Sequence, residues 1–253
     1  MGNDLQKAGM WKRIAAWMFD GILLSVLVVG FAFLLSNLLG YDAYGDTLDA
    51  AYARYETEYG VVFDITQEAY EAMSDAERLN YDAAYAALIA DEEAMHAYNM
   101  MLSLTLVITS GGFLMGIMLW EFIIPYWLGN GQTLGKKIFG LCLIRNDGVR
   151  MNTMQLFVRT LLGKFTIETM IPVCILMMLF WGTIDLTGTV ILLGLLLCQC
   201  LCIGMTRTNS AIHDLLAGTV VVDMTSQTIF PSTEDLIAYQ KQVAAERAAR
   251  QTY

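Results

Sequence analysis

Several ionisable residues of this chain sit inside apolar stretches, and their types and spacing suggest chemistry. Arg13 and Asp20 are seven residues apart, nearly two helical turns, so both fall on one face of the helix that WKRIAAWMFDGILL would form. An ionised group among lipid-facing residues needs protein or water in front of it and a partner. Asp20 therefore reads either as a cation or proton site, or as a helix-locking carboxylate that accepts from Arg13, a Trp indole or a neighbouring hydroxyl. Glu121 precedes Pro125 by four residues, and Glu168 precedes Pro172 by the same interval. Proline frees the carbonyl one turn before it. Each pair thus sets a carboxylate beside unpaired backbone oxygens, which suits a cation in a broken helix and equally an ordinary kink. His213 and Asp214 form a further polar pair. The other histidine, His96, falls in a different segment, so the pair reads as a brace between a span and a strand, with Asp214 reaching Arg13.

Other patterns exclude more than they assign. GQTLGKK lacks the phosphate-loop spacing, because Asn130 stands where Gly is needed and Lys137 where Ser or Thr is needed. Lys136 and Lys137 instead read as headgroup-binding cations beside a tight glycine turn. Cys142, Cys174, Cys198, Cys200 and Cys202 show no CxxC, so neither a disulfide framework nor a metal site is expected. No Ser-His-Asp order or paired-carboxylate site assembles on one face, so we expect neither an enzyme nor a cofactor.

These residues must be positioned by helices in a bilayer. The chain has 253 residues, 56% of them apolar, and a mean hydropathy of +0.49, too oily for a soluble domain. Apolar runs cover 14 to 39 and 101 to 128, each longer than the roughly 20 residues a span requires. Lys7, Lys12 and Arg13 precede the first run, but its length and Asp20 mark it as an anchor, not a cleaved leader. Asp20 costs about 3 kcal/mol there, less than its many Leu, Ile, Val and Phe residues return. The stretch 167 to 205 would be about 58 Å long as one helix, nearly twice the hydrocarbon core, so it must fold back. Gly182, Asp185 and Gly188 supply the turn, between a helix ending near Trp181 and another from Leu186 to Met205. The expected fold is all-α and integral to the membrane, with four transmembrane helices. Thirteen Lys and Arg lie on the side of the termini and only Arg54 and Arg78 on the other, which makes the termini cytoplasmic and suits a multi-pass protein of the plasma membrane.

The remaining polypeptide divides by side. Residues 1-40 are the N-terminus and first span, 41-100 an acidic insert, 101-223 the rest of the membrane body, and 224-253 a tail helix. The insert holds 14 of the 25 acids, 2 of the 15 Lys and Arg, and nine of the twelve Tyr. With the other segments nearly neutral, no basic stripe exists to release counterions from phosphates, and nucleic acid is excluded. In the insert, Thr47 is a cap for a helix stopping at Gly60, and Ser74 with Glu77 a capping box for a second that continues through Asp91. Its tyrosines read as packing between these helices, or as an acidic aromatic surface for cations or a partner. On the cytoplasmic side Leu141 to Arg145, a turn at Asn146-Asp147-Gly148 and a return through Val149 read as a hairpin, paired with Thr219 to Asp223 in a small antiparallel sheet. Asn152 or Thr153 caps an amphipathic helix ending near Leu162, with Arg159 and Lys164 at headgroup level. Ser232 caps the tail helix, which carries Leu236, Tyr239 and Val243 on one stripe.

Three segments in this order, WKRIAAWMFDGILL, GNGQTLGKKIFGLCLIRNDG and AIHDLLAGTVVV, resemble the RDD family, named for one Arg and two Asp. Here the Arg matches Arg13, the first Asp matches Asp20 and the second matches Asp214. The resemblance covers roughly 8 to 40 and 101 to 223, leaving out the insert and the tail. It implies membrane transport, with some members linked to sodium/proton antiport. The expectation is secondary transport of cations and protons through an intramembrane carboxylate, with the lipid bilayer, a monovalent cation and a homo-oligomer or larger membrane complex as partners. The alternative is a non-catalytic accessory or scaffold subunit of another membrane complex.

Overall fold

A computed structural model describes residues 8–181, 186–206 and 209–251. The elements in chain order are α1 (Met10–Leu39), α2 (Tyr41–Tyr59), α3 (Gln67–Glu71), α4 (Asp75–Ala90), α5 (Glu92–Ile117), α6 (Ile124–Leu128), α7 (Leu134–Ile138) and β1 (Leu141–Arg145). They are followed by α8 (Thr153–Val158), α9 (Ile171–Trp181), α10 (Leu186–Met205), α11 (Ile212–Ala217), β2 (Thr219–Asp223) and α12 (Thr233–Gln251). Two π-helical stretches, Met118–Ile123 and Arg159–Glu168, join α5 to α6 and extend α8. The chain divides into two compact units, one of residues 1–29 and 113–253 and the other of residues 30–112.

Helix α1 and the continuous helix Glu92–Leu128 are each long and apolar enough to cross a bilayer, and each has residues in both units. Proline 125 does not break that helix. The wider π-helical turns absorb it, and the helix stops at Gly129, whose φ of 82° only glycine adopts freely. Pro172 does mark a break: the helix Thr153–Glu168 bends by 54° into α9, and the two together make a third candidate span. The amphipathic helix expected to end near Leu162 therefore continues to Glu168, starting from a capping box between Asn152 and Gln155. Helix α10 is apolar and begins at Leu186, as the sequence indicates. The turn assigned to Gly182 and Asp185 lies outside the described residues.

The sheet is two-stranded, with β1 and β2 antiparallel and Leu141 opposite Asp223, Leu143 opposite Val221 and Arg145 opposite Thr219. Both faces are buried: Leu141, Leu143 and Val221 pack on Ala8 and Ala16, while Cys142, Ile144, Val220 and Val222 pack on Ile229. The hairpin return is reduced to one bridge between Ile144 and Arg150, because Arg150 bonds onward to Phe230 and the Gly129 carbonyl. Helix α12 starts at Ser232, whose hydroxyl accepts from the Asp235 N–H at 3.2 Å, and it buries Leu236.

In the second unit, Ala51 of α2, Leu88 of α4 and Ala94 of α5 pack together. Helix α2 begins at Tyr41 after left-handed Gly40, so Thr47 is internal and its hydroxyl bonds back to Ala43. It ends at Gly60 as expected, and Ser74 with Glu77 forms the expected capping box of α4. Asp91 stops α4 instead of continuing it. Its carboxylate accepts from the N–H groups of Glu93 and Ala94 and so starts α5.

Candidate functional site

The site is built around two buried carboxylates in the first unit. Asp20 accepts from the Trp120 indole at 3.1 Å, the Thr133 hydroxyl at 2.5 Å and the Gly135 N–H at 2.8 Å. Gly135 is necessary for this approach. A Cβ there would lie 2.5 Å from the Ala16 carbonyl and 2.8 Å from the Asp20 carboxylate. The indole and the hydroxyl are donor types expected from the sequence, and the backbone N–H adds a third.

The second carboxylate, Glu121, is engaged by Lys164, by Arg159 at 3.4 Å and by Lys136 at 3.6 Å. Its carbonyl accepts from the Thr160 hydroxyl at 3.0 Å, so a neighbouring side chain serves the backbone oxygen that Pro125 cannot. Lys136 also donates to the Thr133 hydroxyl at 3.2 Å, which joins the two centres. It is buried, not at the headgroups, and burial pushes its pKa down to about 8 against the pull of Glu121. Lys137 is exposed and stays outside the network.

Arg159 and Lys164 also belong inside, not at headgroup level. Arg159 is 2% exposed and donates through Nε to Asp214 at 2.9 Å. Although burial opposes its ionisation, the Arg159 guanidinium holds Asp214 well below the usual carboxylate range, and Arg13 adds to this. Arg159 bonds Asp214 directly, and Arg13 attracts the same carboxylate. Asp214 sits in α11, directly before β2, and its carboxylate accepts from the Thr219 hydroxyl of β2 at 3.3 Å.

His213 completes the site. Arg159 Nη2 stands 2.9 Å from His213 Nε2, and a guanidinium can only donate, so Nε2 accepts and the ring proton is placed on Nδ1. Nδ1 then donates to Glu168. Glu168 also accepts from Gln199 Nε2 at 3.0 Å, while Gln199 Oε1 is buried and has no donor among the described residues. His213 approaches the π-helical stretch because residue 163 is glycine; a Cβ there would meet the His213 backbone, with its Cα at 2.7 Å.

Arg13, Asp20, Glu121, Glu168, His213 and Asp214 all line one cavity of about 480 Å³, together with Lys136, Arg159, Lys164 and Gln199. Trp120, Thr133, Thr160 and Gln199 carry no signal in the sequence that marks a site, and Arg159 and Lys164 read there as headgroup residues. Four cations and four carboxylates face the cavity, so it is balanced while His213 is neutral. Apolar side chains of Met10, Ile14, Trp17 and Ile203 complete the wall.

No curated protein and no solved structure matches the chain. The model of the RDD family matches residues 7–218, a stretch that contains Arg13, Asp20 and Asp214 and, with them, every charged residue that lines the cavity. With apolar helices of membrane-spanning length and that match over most of its length, the chain belongs to the RDD family.

Proposed function

We propose that this protein exchanges a monovalent cation for protons across the plasma membrane, as a four-span protein with both termini in the cytoplasm, and that His213 with Glu168 is the exchanging pair. The supporting observation is the placement of His213 between Glu168 and Asp214, with Asp214 Oδ1 3.4 Å from Nε2. In the neutral ring Nε2 accepts from Arg159. On protonation Nε2 becomes a donor, turns to Asp214 and repels the guanidinium toward Glu121. The proton thus finds carboxylates on both sides and gives the balanced cavity one positive charge. A cation held by Glu168 and the unpaired Gln199 oxygen would compete with that charge, and such competition is what couples the two fluxes. Asp20, with three fixed donors, serves as the lock that holds α1 to the helix Glu92–Leu128 and to α7.

Sealed proteoliposomes test this. Wild type should move protons when sodium, potassium or lithium gradients are imposed, and Glu168→Gln should abolish the movement while the protein still elutes as a folded species. His213→Gln should lose the pH dependence of exchange. Wild-type flux in Glu168→Gln rules out the assignment. If wild type moves no cation at any pH, the accessory reading replaces transport, with the acidic tyrosine-rich segment as its docking surface.

A further inference from the structure

In the second unit, Phe63 follows the left-handed Gly60 and lies between α2 and α3. Its backbone is held on both sides: the N–H donates to Glu56 Oε1 at 2.8 Å, and the carbonyl accepts from the Tyr81 hydroxyl at 3.3 Å. Three tyrosine rings surround its ring. Tyr52, Tyr81 and Tyr85 have centroids 5.5, 5.8 and 6.4 Å away, and their planes are turned 78°, 66° and 60° from that of Phe63. A cavity of about 430 Å³ is lined by these four rings and by Glu56 and Asp64.

We propose that this aromatic box binds a quaternary ammonium group. Aromatic faces carry negative quadrupole potential and attract a cation within about 6 Å of a ring centroid. A small inorganic cation would have to shed tightly held water to meet them, whereas a methylated ammonium is weakly hydrated and presents apolar methyl groups to the rings. Glu56 and Asp64 supply formal negative charge at the same wall, and residues 41 to 100 carry 14 acids against 2 bases, which raises the local concentration of any cation. Tyr85 is 50% exposed, so the box is open to solvent on that side. Its ligand is either a free solute of the choline type or the phosphocholine headgroup of a lipid, since both present the same trimethylammonium. The site is independent of the exchange proposed for the charged cavity.

The test uses the full chain in nanodiscs of phosphatidylglycerol, which carry no choline, with binding measured by titration calorimetry. Tetramethylammonium should bind saturably, and the neutral carbon isostere of choline at least about tenfold more weakly. Tyr85→Ala should lose that binding, Tyr85→Phe should keep it because the ring remains, and Asp64→Asn should weaken it several-fold. Glycerophosphocholine binding as well as choline identifies a lipid headgroup as the ligand, and binding of choline alone identifies a free solute. The proposal is overturned if wild type shows no saturable binding of tetramethylammonium, if the neutral isostere binds equally well, or if Tyr85→Ala binds as wild type does.

Discussion

Asp20 and His213 divide the two roles open to a buried ionisable group. A group that must gain and lose a proton needs partners compatible with both states, and His213 has a carboxylate on each side and a guanidinium that suits its neutral form. A group whose partners are all fixed donors is suited to holding elements together. Asp20 is of that kind, since the Trp120 indole, the Thr133 hydroxyl and the Gly135 N–H all donate to it. Asp20→Asn would turn an NH₂ toward one of these donors and leave it unsatisfied, so the loss should appear as stability, about 2 to 3 kcal/mol. Thermal unfolding in detergent should show a lowered midpoint. An unchanged midpoint with abolished exchange would return Asp20 to the exchanging role. The possible partner types of Asp20 could be read from the sequence, because an isolated carboxylate in a span demands donors; Thr133 and Gly135 could not, because they lie over a hundred residues away.

The elements explain what the sequence concealed. Arg159 and Lys164 are five residues apart, an interval that an α-helix turns to different faces, and so they read as headgroup anchors. In π-helical turns the backbone bonds run from i to i+5, which brings that interval onto one side, and both cations reach Glu121. The capping box of α4, the stop at Gly60 and the pairing of β1 with β2 were legible because each depends on local chemistry or on strand edges that need partners. Within the π-helical stretch, Gly163 is where the backbone of α11 comes close at His213. Gly163→Ala should force these elements apart at a cost of about 1 to 3 kcal/mol, and it should also impair proton exchange by moving His213 from Arg159 and Glu168. Thermal unfolding and flux assays on the same preparation check this. If both remain at wild-type level, the close approach is not needed.

At the scale of the whole molecule, charge is the most legible property. Thirteen of the fifteen Lys and Arg fall in segments expected on one side of the bilayer, while the acidic segment holds two. The physical reason is that cations near a span resist translocation, so their distribution records orientation even where helix ends are misjudged. Orientation can be measured with single cysteines placed at exposed positions and a membrane-impermeant maleimide. Leu79 is 74% exposed in the acidic unit, Lys137 is exposed beyond the charged cavity, and Tyr239 is half exposed on α12. Of the native thiols, Cys142 is buried in β1 and its pKa is pushed up to about 11, so it competes poorly as a nucleophile; the other four are replaced by alanine. Leu79→Cys should react in intact cells, whereas Lys137→Cys and Tyr239→Cys should react only after the membrane is opened. Reaction of Leu79→Cys and Lys137→Cys from the same side would leave the helix Glu92–Leu128 with no membrane to cross between them, and a cation exchanged at His213 would then have no gradient to use.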